Sequence, residues 1–255
     1  MNSLRLRLIV LLGLLGTALP LVAASRVEWP LGGRLTLEIT EFGGIGRLSD
    51  AGKVIVGNSQ IFLHKVGKEG VIYQGAGFVA GGAADIKRTD TEVVATGSLL
   101  KEKSADAPKV ADYVVTYKKV TDGVVQVRVE VTYLADSSWS IPAQFSLSFP
   151  FADYAGAQLV TLDHESTERT YEFGSAPVKF TGYGFKSGIL TKGSQSVTIE
   201  PMGDTTAINF QDSRGWGGDY LRVDLMARQE WKTPFTFKAG TKQSFEAKIS
   251  IKSGH

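Results

Sequence analysis

The chain has 255 residues, no cysteine, and 28 Lys and Arg against 26 Asp and Glu, which gives a formal net charge of +2. A balance so close to neutral excludes a protein that holds nucleic acid by bulk charge, because such binding needs a strongly basic face. The lack of cysteine excludes a small domain held together by disulfides, so a hydrophobic core must stabilise the fold.

The start of the chain has the pattern of a secretory signal peptide. Arg5 and Arg7 precede the apolar residues 8–15, and small residues end at Ala24, where a signal peptidase would cut. The apolar run is shorter than the about 20 residues that a spanning helix needs. We therefore predict a signal peptide over residues 1–24, one domain over residues 25–255, no membrane span after cleavage, and a secreted or periplasmic protein.

Short strands separated by turn residues follow from residue 26 onward, and no helical period lasts longer than about two turns. Residues 101–109 are polar and are expected to form an exposed hairpin loop. This spacing predicts an all-β protein, an antiparallel sandwich or barrel. The expected strands cover residues 34–40, 53–56, 60–66, 71–73, 85–87, 92–97, 113–118, 158–161, 169–173, 178–181, 188–191, 196–199, 206–210, 221–225 and 244–251.

Two further strands in the middle of the chain have the most regular alternation. Valine occupies every second position in residues 125–131, and Phe145, Leu147 and Phe149 alternate with polar or small residues in the next apolar segment. This period of two is typical of half-buried strands. We predict that the two strands form a long antiparallel pair, whose apolar face the remaining strands cover.

Three segments resemble, in order, the galactose mutarotase-like proteins, the β-supersandwich fold of aldose 1-epimerases and of domains in several glycoside hydrolases and polysaccharide lyases. Residues 35–50 are similar to the opening hairpin, and residues 125–151 to the central strands that carry a His-Pro-Tyr motif. Residues 197–209, VTIEPMGDTTAIN, resemble the late Glu-Pro segment. The resemblance implies a large antiparallel β-supersandwich and a carbohydrate ligand.

The resemblance also carries two catalytic positions onto this chain. In the epimerases the histidine of the central motif is the general acid and the glutamate of the late motif is the general base. Glu200 matches the glutamate, but Phe149 stands where the family has the histidine. Phenylalanine cannot transfer a proton, so the resemblance implies that the chain is not a mutarotase of the usual mechanism.

Of the three histidines, His164 is the best replacement for the missing general acid. It follows a predicted strand, where loops carry much of the chemistry of a sandwich. Asp163 and Glu165 flank it, and we expect them to raise its pKa and keep it charged. A surface histidine among acids is the alternative for His164, and a simple turn residue is the alternative for Glu200.

The segment QDSRGWGGDY has the composition of a sugar-binding loop. A sugar ring offers an apolar face and a rim of hydroxyls, which suit an aromatic plate with planar hydrogen-bonding groups. Trp216, Arg214, Asp219 and Tyr220 are therefore candidate substrate-binding residues, and Arg214 could pair with the carboxylate of a uronic acid. In the alternative, Trp216 folds inward and Arg214 pairs with Asp212 or Asp219.

Three functional interpretations follow. The first is an exported carbohydrate-binding domain that holds an oligosaccharide or polysaccharide without turnover, and the lost histidine favours it. The second is a carbohydrate-active enzyme, an epimerase or polysaccharide lyase, that uses Glu200 with His164 or Arg214. The third is a structural or assembly protein of the cell envelope. No motif predicts a metal, a cofactor or a nucleic-acid partner, and the oligomeric state stays open.

Overall fold

The computed structural model describes residues 26–65, 72–74, 83–101, 107–180, 184–229 and 234–253. These residues form antiparallel strands with one short helix, α1 (Phe151–Tyr154), and one 3-10 turn, η1 (Ser213–Trp216). No helix in this part of the chain is long and apolar enough to cross a membrane. The strands are β1 (Val27–Gly32), β2 (Leu35–Ile39), β3 (Ile45–Asp50), β4 (Lys53–Val56), β5 (Asn58–Lys65), β6 (Ile72–Gln74), β7 (Asp85–Arg88), β8 (Glu92–Leu100), β9 (Lys109–Thr121), β10 (Val124–Tyr133), β11 (Ser137–Pro150), β12 (Gln158–Leu162), β13 (Glu168–Glu172), β14 (Ser187–Lys192), β15 (Gln195–Pro201), β16 (Thr206–Asp212), β17 (Tyr220–Ala227), β18 (Phe235–Phe237) and β19 (Lys242–Lys252).

The strands form three sheets. A four-stranded sheet has the order β1-β2-β3-β4, and a nine-stranded sheet has the order β13-β12-β14-β15-β19-β10-β9-β8-β7. A six-stranded sheet has the order β16-β17-β11-β5-β6, and β18 pairs with β11 at its end. The predicted antiparallel β-sandwich is therefore confirmed.

The apolar faces of all three sheets pack together in one hydrophobic core. Each fully buried Val, Leu or Phe stabilises the fold by about 1.5–3 kcal/mol relative to an exposed side chain. The alternation read from the sequence explains which residues enter this core. The inward residues of the two central strands have no exposed surface: Val125, Val127, Val129, Val131, Phe145, Leu147 and Phe149.

The two central strands are confirmed as strands, but the predicted pairing between them is wrong. β10 pairs with β9 and β19, whereas β11 pairs with β5 and β17 in the other large sheet. The short connection between Tyr133 and Ser137 carries the chain from one sheet to the other. Alternation predicts which face of a strand is buried, and two strands that face each other across a sandwich share that pattern.

Other differences are local. Residues 178–180, expected as part of a strand, lie outside any strand, because the backbone N–H of Val178 donates to the carboxylate of Asp212 instead of a neighbouring strand. β11 begins at Ser137, inside the expected connection, where β18 supplies a partner. β8 and β9 pair as the predicted hairpin requires. The predicted signal peptide, most of the hairpin loop and His255 lie outside the described residues.

Candidate functional site

One face of the six-stranded sheet is polar although its side chains are buried or half-buried. Because side chains alternate along β11, Phe145 and Leu147 enter the core while Gln144 and Ser146 point to the opposite side. The neighbouring strands place Asp224 opposite Ser146, and Asn209 opposite Asp224. We call this surface the polar face and define it by Gln60, Gln144, Ser146, Asn209, Arg222 and Asp224.

An ion pair lies at the centre of the polar face. Nε of Arg222 is 3.0 Å from Oδ1 of Asp224, and the hydroxyl of Ser146 donates to the same carboxylate. Asp224 has no exposed surface. Burial raises the pKa of Asp224, and the charge of Arg222 and the hydrogen bonds from Ser146 and Arg222 offset this only in part. The face therefore holds a carboxyl group that accepts a proton more readily than an ordinary aspartate.

Two amide side chains of the polar face are incompletely bonded. Nε2 of Gln144 and Oε1 of Gln60 are buried and have no hydrogen-bond partner. Ser146 lies opposite Gln60 and two residues from Gln144, so both orphan groups border the Asp224 cluster. Buried polar groups are nearly always paired. A free donor and a free acceptor at this place suit a ligand or water that carries both kinds of group.

A cleft of about 640 Å³ adjoins the polar face at the β16 edge of the sheet. Its walls are the segment Pro177–Phe180, the strand residue Gln211 and the ring of Trp216, and we call it the Trp216 cleft. Trp216 is 68% exposed, so it does not fold inward to close the end of the sandwich. Nη2 of Arg222 donates to Oε1 of Gln211 over 2.7 Å, which joins the cleft to the polar face.

Arg214 is a structural residue of this region. Its Nε and Nη2 donate to the two carboxylate oxygens of Asp212 over 2.9 Å and 2.6 Å. Its Nη1 donates to the carbonyls of Gly174 and Ser175, and Nη2 also donates to the carbonyl of Ala176. Every N–H group of the guanidinium is therefore bonded, and the expected pairing of Arg214 with a uronic acid has no free donor to support it.

The bonds of Arg214 hold the walls of the Trp216 cleft in place. Its guanidinium lies 3.6 Å from the centroid of the Phe151 ring, which it covers. Oδ2 of Asp212 accepts the backbone N–H of Val178 over 2.8 Å, so the pair ties the wall segment to η1. Burial raises the pKa of Asp212, but hydrogen bonds from Arg214 and Val178 and the charge of Arg214 outweigh it and lower the pKa.

Asp219 and Tyr220 are held by backbone hydrogen bonds. Hydrogen bonding to Asp212 raises the pKa of Arg214, and the negative charge of Asp219 adds to it. The carbonyl of Asp219 accepts the N–H of Phe151 over 2.9 Å. The hydroxyl of Ser213 accepts the N–H of Tyr220 over 3.1 Å and donates to its carbonyl. Neither residue is among the described residues that line the Trp216 cleft.

His164 lies in the turn after β12, at the edge of the polar face. Its Nε2 is buried and unpartnered, and a side-chain carbon built on Gly184 would lie 3.6 Å from it. The N–H of Gly184 donates to Oδ1 of Asn209, a polar-face residue, over 2.8 Å. The structure thus brings His164 near the polar face through Gly184.

The expected upward pKa shift of His164 is wrong, because its pKa is lowered. Burial is the main cause, and the positive charges of Arg228 and Lys186 add to it, whereas Asp163 and Asp204 oppose it. The carboxylate of Asp163 stabilises the turn, because its Oδ1 accepts the backbone N–H groups of Glu165 and Thr167. His164 is therefore held neutral rather than charged.

Glu200 lies on the outer face of the nine-stranded sheet, because the preceding Ile199 enters the core. Its Oε2 is 2.8 Å from Nζ of Lys248 on the adjacent strand β19, and both side chains are partly exposed. Within the described part of the chain, no hydrogen bond or ion pair joins any two of Glu200, His164 and Arg214. Glu200 also belongs to a different sheet from the polar face.

Phe149, which stands at the position of the family histidine, faces the core. It has no exposed surface, and its ring packs edge-to-face on Tyr154 with 5.5 Å between centroids. On β11 the neighbouring positions of Ser146 and Ser148 point to the polar side instead.

The polar face was not predicted from the sequence. The available signal was the alternation of Gln144, Ser146 and Ser148 with apolar residues, and the pair Arg222 and Asp224 at the same spacing. A solvent-facing strand has the same pattern, so only the burial of these side chains marks them as a site.

No protein-family model matches the sequence, and no curated protein is similar to it in sequence. Solved structures match its fold. A putative aldose 1-epimerase from Escherichia coli K12 is 14% identical with a TM-score of 0.54, and the match covers 89% of this chain and 99% of that one. A galactose mutarotase-like protein from Lactobacillus casei ATCC 334 is 16% identical with a TM-score of 0.56, over 89% of this chain and 100% of that one.

A larger protein contains a similar domain. A glycoside hydrolase family 97 enzyme from Pseudoalteromonas sp. strain K8, solved in complex with acarbose, is 12% identical with a TM-score of 0.54, and the match covers 89% of this chain but 35% of that one. Identities this low report the fold alone. The chain therefore has the galactose mutarotase-like fold, as the three sequence segments implied.

Proposed function

We propose that the protein is an exported carbohydrate-binding domain that holds an oligosaccharide or polysaccharide in the Trp216 cleft. The observation that carries this proposal is the 68% exposed ring of Trp216 at the wall of a cleft that also contains Gln211. An aromatic plate receives the apolar face of a sugar ring, and an amide side chain bonds its hydroxyls. The polar face, with its orphan amide groups, would extend the site.

The fold supports this proposal without deciding it, because one fold hosts many functions. The similar structures include proteins described as epimerases of aldoses and a glycoside hydrolase in complex with acarbose. A mutarotase of the usual mechanism is not proposed, since Phe149 cannot transfer a proton and lies in the core.

Calorimetry with a panel of neutral and acidic oligosaccharides tests the proposal. We expect Trp216→Ala to weaken binding at least about tenfold, because a central aromatic residue of a binding site carries much of the affinity. Val120→Ala is the matched control, since Val120 is 50% exposed on β9, away from the cleft. Equal affinity of the Trp216 variant and the wild type would show that the cleft is not the binding site. If the wild type binds no sugar of the panel, a structural role in the envelope is favoured.

Export is proposed from the pattern of residues 1–24. Expression of the full chain in a bacterial host, followed by amino-terminal sequencing of the exported fraction, checks it. We expect a mature chain that begins after Ala24. A chain that keeps its first residues and stays in the cytoplasm would contradict export.

A carbohydrate-active enzyme is the second candidate, and His164 favours it. A neutral histidine with an unpartnered Nε2 can accept a proton, so His164 would act as a general base and not as the general acid expected from the sequence. Glu200 would be the other proton-transfer group. Polarimetry and product analysis with the same sugars test this candidate, and turnover that is lost in both His164→Asn and Glu200→Gln would establish it. Binding without turnover would leave carbohydrate binding as the only supported proposal.

A further inference from the structure

We infer that the Trp216 cleft recognises an acidic sugar, with Lys179 and Gln211 binding its carboxylate or sulfate group beside the ring that stacks on Trp216. This inference rests on the proposed carbohydrate binding and names the class of glycan.

Gln211 brings hydrogen-bonding capacity to the cleft. Oε1 of Gln211 accepts from Nη2 of Arg222 over 2.7 Å. Because a guanidinium can only donate, this bond fixes which end of the amide is the oxygen. The NH2 group is therefore the end of Gln211 that can donate to a ligand, while its oxygen is already engaged by Arg222 and has one lone pair left.

Asp212 is the acidic residue of the cleft lining, and its carboxylate is fully occupied. Its Oδ1 accepts the backbone N–H and Nε of Arg214, at 3.1 Å and 2.9 Å. Its Oδ2 accepts Nη2 of Arg214 at 2.6 Å and the N–H of Val178 at 2.8 Å. Each oxygen is thus occupied twice, and the negative charge is neutralised by Arg214, so Asp212 neither accepts from a ligand nor repels an anion strongly.

Lys179 brings a positive charge to the cleft. Among the described residues that line the cleft, Lys179 and Asp212 are the charged ones. Lys179 is exposed, and no hydrogen bond or ion pair within the described residues occupies its ammonium group. The cleft therefore presents one unneutralised positive charge. Arg214, the residue that the sequence pointed to for this role, has no donor left.

Together these side chains give the cleft donors at Lys179 and Gln211 and one unneutralised positive charge next to an aromatic plate. A neutral sugar could bond Gln211 through its hydroxyls but would leave the charge of Lys179 without a counter-charge. A carboxylate or a sulfate ester offers acceptors alone and carries the complementary charge. An acidic sugar would therefore match the ammonium charge, the amide donor and the aromatic plate together.

Calorimetry at low and high salt with three matched probes tests the inference: an oligogalacturonate, its carboxyl-reduced neutral counterpart, and a sulfated galactan oligosaccharide. We expect the wild type to prefer at least one acidic probe over the neutral one, and the preference to shrink as salt is raised. Lys179→Gln should lower the preference about fivefold, the effect of one partly exposed ion pair. The two acidic probes separate carboxylate from sulfate recognition.

Gln211→Glu is the sharper variant, because glutamate still accepts from Arg222 while its second oxygen replaces the donor. We expect it to lose the acidic probe and keep the neutral one. Lys118→Gln, which removes an exposed lysine from β9, is the charge-matched control and should leave the preference unchanged.

The outcomes separate the inference from the proposed function. Equal binding of acidic and neutral probes, unchanged in both cleft variants but lost in Trp216→Ala, would overturn the inference and leave carbohydrate binding intact. An acidic preference that Lys118→Gln lowers as much as Lys179→Gln would also overturn it. Binding of no probe by the wild type would remove both.

Discussion

Asp212 and Asp224 lie on neighbouring strands and each pairs with an arginine two residues away, yet their pKa values shift in opposite directions. Burial raises the pKa of both carboxyl groups. Asp212 accepts backbone and side-chain hydrogen bonds on both oxygens, which more than offset burial. Asp224 is completely buried and receives fewer bonds, so burial prevails.

This contrast predicts opposite pH dependences of stability. Asp212 has a lowered pKa, so its contribution is present above the ordinary aspartate pKa of about 3.9 and is lost as pH falls below it. Asp224 has a raised pKa, so its contribution is present below about 3.9 and is lost as pH rises. Urea unfolding of Asp212→Asn and Asp224→Asn across acidic pH measures both. Their free-energy differences from wild type should change with opposite slopes, and parallel slopes would contradict the assignment.

The Asp224 ion pair predicts a large loss of stability on truncation. Asp224→Ala should lower the free energy of unfolding by about 3 kcal/mol, because it removes a fully buried carboxylate that accepts hydrogen bonds from Ser146 and Arg222. Asp136→Ala removes an exposed carboxylate that pairs with Lys238 and accepts the backbone N–H of Ala239, and it should cost much less than Asp224→Ala. Equal effects of the two variants in urea unfolding would show that burial of Asp224 carries no energetic consequence.

We predict that the conservative substitution Arg214→Lys destabilises the protein. Arg214→Lys keeps the charge but cannot reach Asp212 and the carbonyls of Gly174 and Ala176 together, so we expect a loss of about 2–3 kcal/mol. Affinity at the Trp216 cleft should fall as well. Arg128→Lys, in an exposed pair with Glu130, is the control. A fully stable Arg214 variant with unchanged affinity would remove its positioning role.

We predict that a side chain added at Gly188 disturbs the wall of the cleft by steric overlap. A Cβ at this position would overlap the ring of Phe210, which lines the cleft and packs on Phe185 with 5.4 Å between centroids. We expect Gly188→Ala to cost about 1–3 kcal/mol, the usual effect of overpacking. Gly174→Ala has nothing within 4 Å of the added carbon and should be neutral in thermal unfolding. If Gly188→Ala leaves the stability unchanged, the ring of Phe210 is free to move aside.

Local pattern was enough to predict the strands and the fold class. The valines of β10 and the phenylalanines of β11 predicted two half-buried strands, and turn-punctuated spacing predicted the sandwich. The pairing of those strands was not predictable from their alternation, because it depends on which distant segments, such as β19 and β17, lie beside them. The signal peptide and export stay predictions.

The sequence by itself determined which residue types were available near position 214, and it predicted both the aromatic plate and the alternative pairing of Arg214 with Asp212. Tertiary structure decided the rest. It left Trp216 exposed, engaged every N–H of Arg214 in hydrogen bonds and lowered the pKa of His164. It also placed Glu200 beside Lys248 on the nine-stranded sheet, away from the polar face. The physical reason is that burial and hydrogen-bond partners come from residues far apart in the chain, and these fix the charge and availability of a side chain.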